Sequence, residues 1–381
     1  MTSRTEQATQ ADMTARQGRI IAHLTQAGHA RAEPPVLQPA DIFLELAGED
    51  IRSRIFLTTG AEGEELCLRP EYTIPVCRAY LASAQAGATA SFSYLGPVFR
   101  QRPGGASEVM QAGIESFGRA DREAADAEIL TLALEAAQDA GCGALNLRLG
   151  DAGLFTALLD ALDLPPATVR RIRRGHMRGE DFAAVLAPAA NGPGSDHSGV
   201  LAALEGVDKQ GARALVEDLL SIAGISSVGG RSAGEIADRF LEQAAMKSKM
   251  GMSPEKRAVL ERFLAVGGDP DRASAALRKL AQEAGLNLTA ALDAFDARLG
   301  FIAARGLDVS SLVFSANFGR NLDYYTGFIF EAHRPDGEPG RPVVGGGRYD
   351  GLLRRLGASA DIPAVGAAIW CDRLFASGDR T

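Results

Sequence analysis

The chain has 381 residues, 46% hydrophobic and 23% charged, which suits a globular protein with ample core and about two to three domains. Its formal net charge of −8, with no basic tail and no long positive run, argues against non-specific nucleic-acid binding. No segment approaches the ~18 uninterrupted apolar residues of a membrane span, so no membrane association is expected. Cys67, Cys77, Cys142 and Cys371 form no C-x-x-C pair and no cluster with His. That spacing argues against a zinc site or a disulfide framework and makes a reducing cytoplasm the expected compartment. No metal and no cofactor are expected.

In chain order, the polar residues 1–17 lack an apolar h-region and read as a frayed leader rather than a secretory signal. Residues 15–27 have helical spacing in Ile20, Ile21 and Leu24 and stop at Gly28. A short helix is expected over 41–46, and a hairpin over 55–58 and 66–68 around Gly60 and Gly63. Glu71 and Thr73 then stand two apart at a strand-to-helix junction, a position that presents polar groups. Residues 121–140 read as a long helix, 145–149 as a strand, and 151 onwards as a helix. From 165 to 300 the chain turns rich in Ala, Leu, Arg and Glu, with helix starts at Ser253-Pro254-Glu255 and Asp269-Pro270-Asp271. This segment reads as a helical insertion domain between two parts of one sheet domain, 1–160 and 305–381. Strands resume at 312–314 and close at 364–370, before a short helix at 372–374.

Two distant stretches carry alternating polar residues. In 91–118, a hairpin with a Gly-Gly loop at 103–107 puts Gln111, Gly113 and Glu115 on one strand face. In 318–352, Arg320, Tyr324 and Tyr325 precede the apolar strand Phe328-Ile329-Phe330. An arginine, two tyrosines, a glutamine and a carboxylate suit a small zwitterion: Arg holds a carboxylate with two hydrogen bonds, and Glu and Gln accept from ammonium or ring N–H donors. Glu115 is flanked by apolar residues, where a carboxylate needs partners. Gly345-Gly346-Gly347 fits neither a P-loop nor a dinucleotide fingerprint and reads as a bend that lets backbones approach. His176, His197 and His333 are scattered and read as structural or solvated, as do the pairs Arg173-Arg174 and Arg354-Arg355.

The ordered motifs LRPEYT (68–73), FRQRP (99–103), QAGIESFG (111–118), RNLDYYTGFIFE (320–331), GGRYDGL (346–352) and AVGAAIWCDRL (364–374) resemble the histidyl-tRNA synthetases. The resemblance covers about 1–155 and 310–381. It implies an α+β fold of the class II aminoacyl-tRNA synthetase type, an antiparallel sheet flanked by helices, here with a helical insertion. It further implies that Glu71, Thr73 and Gln111 hold the amino group of histidine and that Arg320 holds its carboxylate. Glu115 and Tyr325 would face the imidazole, with Tyr324 and Tyr349 nearby. Arg100 is counted with this histidine-binding set and, with Arg373, matches the family's ATP-contacting arginines.

The departures point elsewhere than tRNA charging. The chain ends eight residues after Arg373, where an anticodon-binding domain is expected in the family. Arg100-Gln101-Arg102-Pro103-Gly104-Gly105 is shorter than the family's loop and lacks its Glu and later Arg, and Asp372 stands where Glu is usual. Adenylate chemistry depends on positioned charge. A histidine pocket without these groups resembles the regulatory subunit of ATP phosphoribosyltransferase. That resemblance implies no catalysis of its own, a short-form catalytic subunit as partner in the first step of histidine biosynthesis, and L-histidine as regulatory ligand. It also implies a homodimer formed through the N-terminal region within a larger hetero-oligomer, and no tRNA. The alternatives are a truncated ligase that makes histidyl-adenylate, and a scaffold whose pocket is vestigial.

Overall fold

The computed structural model describes residues 4–46, 49–102, 104–177, 182, 185, 227–228, 231–232, 252–320, 324–338 and 340–374. The chain forms two compact units, one made of residues 1–161, 177–179 and 262–381, the other of 162–176 and 180–261.

The first unit is built on a nine-stranded sheet in the order β1-β5-β6-β14-β13-β12-β7-β11-β10. Its central strands are β5 (Ala90–Phe99), β6 (Glu108–Phe117), β14 (Ala364–Trp370), β13 (Val344–Arg348), β12 (Phe328–His333) and β7 (Asn146–Asp151). These six pair antiparallel throughout. Parallel pairs occur only towards the rims, where β1 (Ala30–Arg31) joins β5 and β11 (Val313–Ser315) joins β7. The edge strand β10 (Gly267–Gly268) returns to antiparallel pairing. The expected α+β, class II synthetase-like sheet is therefore present, as a mixed sheet.

One face of the sheet is covered by α5 (Arg122–Asp139), which contacts β6, β13 and β14. Ala112 and Ile114 of β6 are buried, while Gln111, Gly113 and Glu115 alternate onto the opposite face. The first helix begins earlier than the expected 15–27: α1 spans Arg4–Gln26, through most of the stretch expected to fray. Ile20 and Leu24, four apart, bury fully, and α1 lies against α5. Arg19 and His23 meet the last turn of α5, where Arg19 Nε donates to Asp139 O at 2.9 Å and His23 Nδ1 lies 2.6 Å from Asp139 Oδ2. The Arg19 guanidinium at this helix C-terminus satisfies free carbonyls and complements the helix dipole, which anchors α1 to α5. Gly28, at φ 95°, ends the helix as expected.

The expected hairpin forms from β3 (Leu57–Thr59) and β4 (Glu65–Leu68), and β2 (Leu37–Pro39) adds a third strand to this small sheet. Chain after β4 runs into α4 (Thr73–Leu81). A buried cluster joins these elements to the sheet through Phe43, Tyr72, Tyr80, Phe117, Tyr324 and Tyr349.

Helices α9 (Pro270–Glu283) and α10 (Thr289–Ala304) belong to the first unit, and α10 contacts α5. Asp269 caps α9 by accepting from Arg272 N at 2.9 Å, as the Asp-Pro-Asp start predicts. Arg298 of α10 reaches into the core, with Nε 2.8 Å from Asp126 Oδ2 and Nη1 2.7 Å from Asp151 Oδ2. Asp151 also accepts from Gly153 N and Leu154 N at the start of α6 (Ala152–Ala161). Within the second unit, α7 (Pro166–Met177) carries the buried Ile172 and His176, and β8 (Ser227–Val228) pairs antiparallel with β9 (Arg231–Ser232). His197 lies outside the described residues. The four cysteines are buried and free. No described helix is long and apolar enough to cross a membrane.

Candidate functional site

The sheet face opposite α5 floors a cavity of about 710 Å3. Cross-strand register explains its floor, because paired residues share a face. Gln111 faces Trp370; Gly113 faces Ala368, which faces Gly345, which faces Glu331; Glu115 faces Gly366, which faces Gly347. The central positions are glycine because functional side chains lie across them. A Cβ on Gly366 would fall 1.7 Å from Glu115 Oε2, and one on Gly345 would fall 2.6 Å from both terminal nitrogens of Arg320. The triple glycine is thus a strand rather than a bend, although the close approach of backbones holds: a Cβ on Gly346 would meet Gly366 O at 2.3 Å.

Eight of the nine expected residues line this cavity: Glu71, Thr73, Arg100, Gln111, Arg320, Tyr324, Tyr325 and Tyr349. Glu115 sits behind the wall and is completely buried. Thr73 Oγ1 donates to Glu115 Oε1 at 2.8 Å, and the Tyr349 hydroxyl donates to Oε2. Burial pushes the Glu115 pKa up to about 8 against the pull of those two bonds, and nearby Glu71 adds to the rise. Glu71 is itself committed to the backbone: its two oxygens accept from Thr73 N and Ile74 N, both at 2.8 Å, at the start of α4. Burial raises its pKa despite those bonds. Arg100 ties the same region to β5, since its Nε donates to Pro70 O at 2.7 Å.

Arg320 is buried, with Nε 3.1 Å from Glu331 Oε1 and Nη1 donating to the Tyr325 hydroxyl at 3.3 Å. Burial would lower its pKa, but Tyr325 and Glu331 outweigh it and hold the guanidinium charged. Glu331 also meets His333 Nε2 at 3.2 Å. Burial would raise Glu331, yet the His333 bond and the Arg320 charge hold it below its usual range. Gln111 is 2% exposed, and its side-chain oxygen accepts no hydrogen bond among the described residues. A buried amide oxygen without a donor is costly, and in a cavity wall it marks a place for a ligand N–H.

Further cations line the cavity: Arg54, Arg100, Arg102, Arg341 and Arg373, with Asp372 among them. Arg373 Nη1 donates to Pro342 O at 2.9 Å. Burial lowers its pKa to about 10; Asp372 opposes the fall, and Arg102, Arg341 and Arg100 add to it. Trp370 also lines the cavity and contacts two of its arginines, its ring centroid 5.9 Å from the Arg320 guanidinium carbon and 4.7 Å from that of Arg373.

The sequence reading thus brings together eight of the lining residues but misses Trp370, Glu331, Arg54 and Arg341. Trp370 and Glu331 lie within quoted motifs, but only the pairing of their strands with β6 and β13 turns them to the site. Arg54 and Arg341 lie in irregular chain, where no periodicity points inward. The site as a whole offers buried donors for a carboxylate, acceptors for N–H groups, and a separate anion-matching surface.

A family model for histidyl-tRNA synthetase matches residues 4–231 and 211–374. An ATP phosphoribosyltransferase regulatory subunit of Mesorhizobium japonicum is 44% identical over 378 residues, covering 96% of this chain and 98% of the relative. The protein of that name from Brucella anthropi is 42% identical over 348 residues, covering 90% and 91%. Among solved structures, an ATP phosphoribosyltransferase regulatory subunit/histidyl-tRNA synthetase from Bacillus halodurans superposes with a TM-score of 0.65 at 19% identity, over 96% of this chain and 78% of that one. A histidine–tRNA ligase subunit from Alicyclobacillus acidocaldarius gives 0.57 at 24% identity, over 96% and 91%. At such identity these two show the fold, whereas the sequence relatives show the lineage. The chain belongs to the family of ATP phosphoribosyltransferase regulatory subunits, which shares the histidyl-tRNA synthetase fold.

Proposed function

We propose that this chain, without catalysing the reaction itself, activates a short-form ATP phosphoribosyltransferase catalytic subunit in the first step of histidine biosynthesis. The cavity is its L-histidine site. Arg320 takes the carboxylate, Gln111 and Thr73 receive the ammonium group, and Tyr325 lies against the ring. Glu115 acts from behind, through Thr73 and Tyr349, and Glu71 acts by fixing the start of α4. The observation that carries this reading is the buried pairing of opposites in one wall: a guanidinium held over Gly345 and an amide oxygen without a donor at Gln111. Together they match a zwitterion.

Feedback then requires histidine to bind the active and inhibited states of the assembly with different affinities. A homodimer within a larger hetero-oligomer, a cytoplasmic location, and a helical insertion over 165–300, whose part from 262 onwards belongs to the first compact unit, are part of the same proposal. The name that the sequence relatives carry supports the partner, and the fold supports the pocket.

The test is reconstitution. Purified catalytic subunit should form phosphoribosyl-ATP only when this chain is added, and L-histidine should suppress the rate. Full activity of the catalytic subunit alone would refute the activating role. Histidine-dependent pyrophosphate–ATP exchange by the isolated chain would refute the non-catalytic one.

A further inference from the structure

We propose that Trp370 is a specificity-determining residue that partitions the cavity, so that no single ligand engages Arg320 and Arg373 together. The inference rests on the histidine reading of the Arg320 end. Three observations carry it. The indole contacts both guanidiniums, its ring centroid 5.9 Å from the guanidinium carbon of Arg320 and 4.7 Å from that of Arg373. It is held in place: Trp370 is 6% exposed, and its backbone N donates to Val343 O at 2.9 Å. The following residues are pinned as well, Arg373 by Pro342 O and Asp372 by Arg341 at 3.7 Å.

The two ends differ in chemistry. Around Arg373, the guanidiniums of Arg102 and Arg341 add positive charge that matches phosphate oxygens, whereas the Arg320 side matches an amino-acid zwitterion. A molecule whose amino-acid carboxyl is joined to a phosphate must run from Arg320 past the position of the indole to Arg373. A rigid aromatic ring at that position rejects such a ligand by sterics while leaving the free amino acid unhindered. The indole therefore makes the cavity a sensor of the free amino acid rather than a site for its activated ester.

The probe is a non-hydrolysable sulfamate in which histidine is joined to adenosine, compared with L-histidine by calorimetric titration of the full-length chain. Wild type should bind the sulfamate no more than threefold more tightly than L-histidine. Trp370→Gly should bind it at least tenfold more tightly than wild type does, and Trp370→Phe, which keeps a ring, should behave as wild type. A wild-type preference for the sulfamate of tenfold or more would overturn the partition. So would a folded Trp370→Gly with unchanged affinity for it, and the wild-type comparison stands if that variant does not fold. Trp370 is also the single tryptophan of the chain, so its emission reports the Arg320 side directly. L-histidine binding that leaves the emission unchanged would place the ligand elsewhere and overturn the proposal. Absence of any L-histidine binding to folded wild type would remove the histidine reading and this proposal together.

Discussion

The carboxylate of Glu115 occupies the space that a side chain on Gly366 would need: a Cβ there would lie 1.7 Å from Oε2. The two residues are direct cross-strand partners, so the sheet register itself fixes the relationship. Gly366→Ala should drive the carboxylate from its bonds to Thr73 and Tyr349. Leaving such buried groups unpaired, together with overpacking, predicts a loss of about 2–4 kcal/mol. Urea unfolding of the variant and wild type at one pH measures it, and an unchanged midpoint would contradict the packing described.

Glu115 also sets a pH dependence. Its folded-state pKa of about 8 lies above the usual carboxyl value, so the folded protein keeps this proton while the unfolded chain releases it. Its stabilising contribution is complete at acidic pH, below the unfolded pKa, and is lost as pH rises towards and through 8. The slope is at most about 1.4 kcal/mol per pH unit for one proton. Glu115→Gln removes this titration, so the stability of wild type relative to the variant should fall between pH 5 and pH 8. A constant difference across that range would contradict the assignment.

Much of this site was legible in the sequence, for definite reasons. Strand alternation alone places Gln111 and Glu115 together, and a carboxylate amid apolar residues announces a need for partners. The strand-to-helix junction marks Glu71 and Thr73, and both line the cavity, although the structure commits both Glu71 oxygens to backbone N–H groups. What alternation cannot give is which strands become neighbours. Glu331, Gly345 and Trp370 enter the site only through the order β6-β14-β13-β12, which joins segments more than 200 residues apart. Spacing gives the helix over 15–27 but not its extension back to Arg4, because that stretch is mainly polar.

Arg298 gives a test of the core behind the site. It bridges Asp126 and Asp151 with all three side chains buried, and Arg348 meets Asp126 Oδ1 at 2.6 Å. Removing the arginine leaves buried carboxylates short of a partner. Arg298→Met should therefore cost about 3–5 kcal/mol, read from the denaturation midpoint. A variant within about 0.5 kcal/mol of wild type would show the network to be energetically idle.

Glu331 should weaken ligand binding while stabilising the free protein. It neutralises Arg320 at 3.1 Å before any carboxylate arrives. Glu331→Gln should lower the Tm of the free chain but bind L-histidine more tightly, by up to about tenfold, because the ligand then supplies the missing counter-charge. Thermal unfolding with and without L-histidine reads both effects. Weaker binding would instead show Glu331 to act by orienting Arg320.

The account stands or falls most directly on calorimetric titration of the full-length chain with L-histidine, using histidinol as the control that lacks the carboxylate. Selective binding of L-histidine, at least tenfold tighter than histidinol and lost in Arg320→Ala, is the predicted result. Equal binding of the two ligands, or none by a folded chain, would contradict an amino-acid sensor built on Arg320.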